Sequence, residues 1–227
     1  MPLLEVVDLT KRFVSPDGGS SIVVDVPRFA LEAGEHLALR GPSGSGKTTF
    51  LNLIAGILQA DSGRIVLDGK DLVALPEPER DRVRATSIGY VFQTFNLLQG
   101  FTALENVVLG MMFGRGVDLQ RARQLLERVG LADRVNYRPT QLSVGQQQRV
   151  AVARALANQP KLVLADEPTG NLDQRNGREA LTLIREVCRE NGAALLLVSH
   201  DADVLAQFEK VRDLAELNRA MSPVTGS

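Results

Sequence analysis

Gly41-Pro42-Ser43-Gly44-Ser45-Gly46-Lys47-Thr48 places Gly-Lys-Thr four residues after a glycine, the spacing of a phosphate-binding loop (P-loop). The chemistry it suits is anion capture. Three glycines let the backbone turn with its N–H groups inward, and no side chain blocks a phosphate. A helix beginning near Thr49 adds partial positive charge behind the same phosphates. Lys47 brings a full charge to the outer phosphates, and the Thr48 hydroxyl suits Mg²⁺. A second set is Leu162-Val163-Leu164-Ala165-Asp166-Glu167, an apolar strand ending in two carboxylates. Asp166 fits a further Mg²⁺ ligand acting through water, and Glu167 a general base for an attacking water. The same two carboxylates also fit plain capping of the turn Pro168-Thr169-Gly170, and both readings stay open at this level. A third stretch, Leu142-Ser143-Val144-Gly145-Gln146-Gln147-Gln148-Arg149, opens a helix that Ser143 can cap, with Gly145 allowing close approach of a ligand.

The elements that must position these residues alternate between strand and helix. Leu4 to Leu9 and Ile22 to Leu31 read as strands, separated by the turn-rich Ser15-Pro16-Asp17-Gly18-Gly19-Ser20. Glu35 to Arg40 is the strand entering the P-loop, with His36 as a solvated strand residue, and Thr49 to Gly56 is the helix leaving it. Asp61-Ser62-Gly63 is a turn, Arg64 to Leu67 a strand, Pro76 to Arg84 a charged surface helix and Ile88 to Phe92 a buried strand. The texture then changes. Leu104, Val107, Val108 and Met111, then Leu125, Leu126 and Val129, recur at helical spacing, with Gly114 and Gly116 between two helices. Residues 94–157 therefore read as a helical insertion in an α/β domain. Lys161 to Ala165 and Ala194 to Val198 are continuous apolar strands of the kind buried on both faces. Arg175 to Asn191 and Ala202 to Phe208 read as helices, Val211 to Leu217 as a last strand, and the chain after Arg219 as a frayed tail. This alternation predicts a mainly parallel sheet covered on both faces.

The composition narrows the partners. The 227 residues are 44% hydrophobic and 23% charged, enough to bury a sizeable core. A net charge of −1 supplies no global attraction to nucleic acid or anionic lipid, so no nucleic-acid partner is expected. Cys188 is the single cysteine, which excludes an internal disulfide and fits a reducing compartment. It lies in an apolar helical pattern and reads as a small buried hydrophobe. No stretch approaches the roughly 18 apolar residues of a membrane span. The expectation is a cytoplasmic protein that meets a membrane only through a partner.

The order of P-loop, Gln93, Leu-Ser-Val-Gly-Gln, Asp166-Glu167, Asn171-Leu172-Asp173 and His200 resembles the ATP-binding cassette (ABC) ATPases, whose signature is Leu-Ser-Gly-Gly-Gln. The resemblance runs through nearly all of the chain. It implies a P-loop NTPase core with an antiparallel β subdomain and a helical insertion, forming a single nucleotide-binding domain over 1–227. It implies ATP and Mg²⁺, with Gly41, Pro42, Ser43, Gly44, Ser45, Gly46, Lys47, Thr48 and Thr49 around the phosphates, and Thr48, Gln93 and Asp166 toward the metal. Phe13 then stands where the family stacks an aromatic ring on adenine, Gln93 reaches Mg²⁺ and the attacking water, and His200 holds the γ-phosphate and orients Glu167. Ser143, Gly145 and Gln146 would act on nucleotide held by an opposite copy, with Asp173 crossing the same interface.

Two departures from the family pattern bear on these roles. Val144 replaces the first signature glycine, and a β-branched residue there requires an ordinary backbone. Asn171-Leu172-Asp173 replaces the more general Ser-Ala-Leu-Asp. With Phe95-Asn96-Leu97-Leu98 and Thr102-Ala103-Leu104-Glu105-Asn106-Val107, it resembles the branch of lipoprotein-release and macrolide-export ATPases, and of related cell-division and antimicrobial-peptide systems. The implied function is hydrolysis of ATP by a dimer of such subunits, energising a separate membrane permease. Docking is expected beside Gln93 and Thr94 to Phe101, where Phe95, Leu97, Leu98 and Phe101 are more apolar than a solvated loop needs. The alternative is a non-transport cassette serving DNA repair, cell division or translation. The long coiled coils of the repair type and the fused pair of cassettes of the translation type are both missing from this sequence.

Overall fold

The computed structural model describes residues 1–14 and 17–221. Ser15 and Pro16 of the predicted turn, and residues 222–227 of the predicted tail, lie outside the described residues. The chain runs β1 (Leu4–Val14), β2 (Ser20–Leu31), β3 (His36–Arg40), α1 (Lys47–Ile54), β4 (Ser62–Leu67), β5 (Lys70–Asp71), α2 (Glu77–Ser87) and β6 (Ile88–Val91). Helices α3 (Ala103–Met112), α4 (Leu119–Arg128) and α5 (Val144–Ala155) follow. The chain then returns through β7 (Leu162–Asp166), α6 (Gln174–Glu190), β8 (Ala194–Ser199), α7 (Ala202–Leu205), β9 (Val211–Asp213) and α8 (Leu214–Leu217).

Two sheets form. One has the order β2-β1-β4-β5, with antiparallel pairings, and the other β6-β7-β8-β3-β9, with parallel pairings. Strand periodicity explains why the parallel strands are apolar throughout. Leu37, Leu39, Leu162, Leu164, Leu196 and Val198 join the core facing the antiparallel sheet and α1. Their neighbours Ala38, Val163, Ala165, Leu195 and Leu197 join the core facing α5 and α6. Alternate residues go to opposite faces, and both faces are covered. Parallel pairing also aligns the strand ends. Asp166 lies opposite Val198, and Arg40 opposite Ser199, so β3, β7 and β8 deliver their loops to one edge.

Several boundaries differ from the sequence expectation. Strand β1 continues past Leu9 to Val14, because β2 pairs with it throughout and a bulge between Lys11 and Arg12 absorbs one residue. The predicted strand over Val211 to Leu217 stops after three residues. Asp213 accepts a hydrogen bond from the Ala215 N–H and caps α8, so the apolar Leu214 and Leu217 are buried from a helix. Strand β5 was not legible at all, being two polar residues held by Leu67 and Val66. His36 is half-buried rather than fully solvated. Both ring nitrogens are buried without a hydrogen-bond partner, and burial, reinforced by Arg189, holds its pKa below the usual value. Cys188 is buried as expected, and burial pushes its thiol up to about 12.

Helix α1 joins the two sheets. Phe50 is fully buried on it and meets Phe29 of β2 edge-on, with ring centroids 5.5 Å apart and planes at 87°. Since α1 begins at Lys47, this contact also anchors the P-loop. Phe50→Ala should lower unfolding free energy by about 3–5 kcal/mol, whereas Phe113→Ala, on a side chain 80% exposed, should change it by less than about 0.5 kcal/mol. Urea titrations of the two variants would check this contrast.

Candidate active site

The P-loop between β3 and α1 turns on two left-handed glycines, Gly44 at φ 79° and Gly46 at φ 88°. Gly41 is close-packed for a different reason: a Cβ there would lie 2.7 Å from the Ser45 Oγ, which would have to turn away. A Cβ on Gly46 would sit 2.8 Å from the carbonyl oxygen of Val23, so β2 packs directly against the loop. Asn218, 1% exposed, ties the same parts together. Its amide nitrogen donates to the carbonyls of Val23 at 2.9 Å and Ser45 at 3.4 Å, and its amide oxygen accepts from the Asp25 N–H at 2.7 Å. Nothing in the sequence around Asn218 signals this role, since its partners lie some 170 to 200 positions away.

Lys47 is 6% exposed and donates to the carbonyls of Gly41 at 2.7 Å and Pro42 at 3.0 Å. Its ammonium also lies 3.4 Å from Oε1 of Glu167. Glu167, 8% exposed, holds a left-handed backbone at φ 42°, which costs a non-glycine residue energy and aims the carboxylate back under the P-loop. Oε1 accepts from the His200 N–H at 3.1 Å and from His200 Nδ1 at 2.7 Å, while Oε2 accepts from the Ser199 hydroxyl at 3.0 Å. Ser199 was not anticipated, and it enters the site because β8 ends beside β7. One cleft of about 320 Å³ is lined by Val23, Ser43, Gly44, Gly46, Lys47, Thr48, Thr49, Gln93, Glu167 and His200.

Asp166 is 5% exposed beside this cleft, and its Oδ1 has no hydrogen-bond partner. Burial raises its pKa; the Thr48 hydroxyl opposes that, Glu167 adds to it, and Lys47 opposes it. A buried, partnerless carboxylate oxygen next to a threonine hydroxyl is an oxygen donor set of the type Mg²⁺ takes. The remaining expected residues sit elsewhere. Phe13 is 40% exposed at the far end of β1, with the Lys11 ammonium 5.8 Å from its ring centre. Ser143 caps α5, its hydroxyl accepting from the Gln146 N–H at 3.3 Å while Gln146 Oε1 accepts from the Ser143 N–H at 3.0 Å. Val144, 48% exposed, opens the helix with a right-handed backbone. Gly145 faces Asn176, whose Oδ1 would be 3.4 Å from an added Cβ. Asn176 in turn bonds Asp173, which caps α6 and whose carboxyl is held below its usual pKa by those bonds. Ser143, Gly145 and Asp173 therefore share a surface that is separate from the lining of the P-loop cleft.

The family model described as ABC transporter matches residues 24–170. The chain belongs to the ABC transporter family. The lipoprotein-releasing system ATP-binding protein LolD 2 of Rhodospirillum rubrum is 44% identical over 220 residues, 95% of each chain. The macrolide export ATP-binding/permease protein MacB of Rhodopirellula baltica is 46% identical over 186 residues, 80% of this chain and 27% of that one. A solved dimer of the ATP-binding cassette MJ0796 in a post-hydrolysis state, bound to ADP and phosphate, superimposes with a TM-score of 0.85 and 35% identity over 96% of this chain and 95% of the other. The chain is an ATP-binding, ATP-hydrolysing subunit of the LolD/MacB-like branch, and the non-transport alternative finds no support among these relatives.

For this ABC ATPase the Asp166 carboxylate is a standing cost to folding. Its folded pKa is raised, so its contribution to stability is present below the unfolded value and is lost as pH rises through the folded one. At pH 7, Asp166→Asn without nucleotide should melt at or above the parent temperature, and the gap should narrow on acidification toward the folded-state pKa. The variant's stabilisation by added MgATP should fall. Thermal melts across pH, with and without MgATP, would check both signs.

Proposed function

We propose that the P-loop cleft hydrolyses MgATP by in-line attack of water on the γ-phosphorus, and that this chain forms one nucleotide-binding domain in which residues 94–157 are the helical subdomain. The observation that carries the reading is the convergence of Lys47, Glu167, His200 and Gln93 on one cleft walled by the P-loop. Residues Gly41 to Thr49 would hold the phosphates, and Phe13 the adenine face. Thr48, Asp166 and Gln93 would hold Mg²⁺, which neutralises charge on the phosphate oxygens when bound. Glu167 takes the proton as the water oxygen bonds to phosphorus and the bond to ADP breaks. Among the described residues its Oε2 bears only the Ser199 bond, and so keeps acceptor capacity for that proton. His200 holds the carboxylate in place through two bonds to Oε1.

A second copy completes the site in this reading. Ser143, Gly145, Gln146 and Asp173 share a surface apart from the cleft, which suits action on nucleotide held by an opposite protomer, and the MJ0796 structures are dimers. Glu167→Gln should keep ATP affinity and lose at least about 10²-fold in turnover. It should run as a dimer with MgATP and as a monomer without it, and adding Ser143→Arg should abolish the shift. Steady-state phosphate release and sedimentation test the reading; near-normal turnover, or a dimer indifferent to both ATP and Ser143→Arg, would overturn it.

Among the described residues no helix is long and apolar enough to cross a membrane. In this reading the subunit sits on the cytoplasmic face, held there by a permease, as the likeness to LolD-type subunits supports. The expected docking stretch divides in the fold. Leu97 is 7% exposed and Phe95 packs against the same core, so neither is offered to a partner. Leu98 and Phe101 remain 49% and 41% exposed, pinned by Asn106, whose side chain bonds the Leu98 N–H and the carbonyls of Leu98, Phe101 and Thr102. Leu98→Glu should keep the fold and ATP affinity while weakening co-purification with the cognate permease. An undiminished complex would remove this surface from the reading.

A further inference from the structure

Gln93 leads a segment that two side chains grip from different parts of the molecule. On one side is Arg154 of α5, the helix that begins at the signature. Its guanidinium donates to the carbonyls of Asn96 at 2.5 Å and Phe95 at 2.7 Å. On the other side is Asn171, in the loop that leads from Glu167 to α6. Its amide nitrogen donates to the Gln93 carbonyl at 2.6 Å. A carbonyl only accepts, so the nitrogen and not the oxygen of the amide must face it.

The loop is built for this approach. The Gly170 N–H donates to the Glu167 carbonyl at 3.0 Å, and the Leu172 N–H to the Thr169 carbonyl at 3.0 Å. At Gly170 a Cβ would come within 3.3 Å of Gln93 Nε2 and 3.4 Å of the Glu167 carbonyl oxygen. Loop backbone therefore lies against the Gln93 side chain, while the next side chain holds the Gln93 main chain. The same loop runs on to Asp173, which caps α6.

We propose that Asn171 is a positioning residue that holds Gln93 at the phosphate cleft and ties it to the loop carrying Glu167. The inference rests on the reading of Gln93 as a site residue given above. The two grips differ in strength. Arg154 makes two charged bonds in a largely desolvated setting, so residues 95 and 96 travel with α5. Asn171 is exposed and makes one neutral bond to this segment, which water can replace at small cost. Asn171 is the weaker of the two grips and the one that joins Gln93 to the loop carrying Glu167.

The test compares Asn171→Leu, Asn171→Asp, Gln93→Ala and the Asn171→Leu/Gln93→Ala double variant of the full chain, by steady-state phosphate release. Leu and Asp both match the shape of Asn, and neither donates to a carbonyl at neutral pH. Each Asn171 variant should lose about three- to tenfold in kcat, the worth of one hydrogen bond, with KM for MgATP and melting temperature unchanged. Gln93→Ala should lose at least as much, and the double variant should fall no further than Gln93→Ala alone. Parent-like kcat in both Asn171 variants, with Gln93→Ala impaired, would overturn the inference and leave the site reading standing. A double variant whose loss multiplies would show Asn171 acting on something other than Gln93. Parent-like kcat in Gln93→Ala would overturn both the role of Gln93 and the inference built on it.

Discussion

The Lys47–Glu167 pair is the contact on which the cleft depends. A cation from one crossover and a carboxylate from another meet at 3.4 Å, and both are nearly sealed from solvent. Two charges so placed lose most of their hydration, and attraction alone rarely repays that loss. Here each is also satisfied by other groups: two P-loop carbonyls for the ammonium, Ser199 and His200 for the carboxylate. The arrangement requires β3, β7 and β8 to lie side by side and in parallel, since only then do their loops open on one edge. It also requires Glu167 to hold a backbone conformation that costs a non-glycine residue about 1–3 kcal/mol.

Other features of the site carry a cost in the same way. Among the described residues, Asp166 is buried with an oxygen that has no hydrogen-bond partner, and Ser45 keeps a buried hydroxyl without one. Polar groups left so are destabilising in a folded chain and are informative for that reason. These two lie at the P-loop edge of the parallel sheet, while the opposite edge carries surface pairs such as Lys161–Asp68 and Lys210–Glu35, together with the unpartnered ring nitrogens of His36.

The segment after β6 links this rigid edge to the helices. Asn106 pins its far end, Arg154 its middle and Asn171 its beginning. Each of these bonds runs from a side chain outside the segment to its main-chain oxygen or nitrogen, and Leu97 and Phe95 add core packing from within it. Leu98 and Phe101 can therefore face outward without loosening it. Asn96 holds a left-handed φ of 50° within the same stretch, which leaves its carbonyl and that of Phe95 for Arg154.

Much of this was legible from residue types and spacing. Gly-Lys-Thr after a spaced glycine, an apolar strand ending in Asp166-Glu167, and the switch from period two to helical spacing after Gln93 determined the phosphate chemistry, the buried parallel strands and the helical insertion. Those signals are local, because they follow from what one strand or one helix turn must present. Sequence could not decide whether Asp166 and Glu167 merely cap a turn. The surroundings of Glu167 depend on Ser199 and His200 arriving from the end of β8 and Lys47 from the start of α1, and no spacing rule encodes such distances. The same holds for Asn218, which ties β2 to the P-loop across nearly the whole chain, and for Asn171 and Arg154. Leu97 and Leu98 are adjacent and chemically alike, yet one is core and the other surface. His36 reads as a solvated strand residue, yet its ring nitrogens are sealed. Burial is a property of what packs on a residue, and only the tertiary structure decides it.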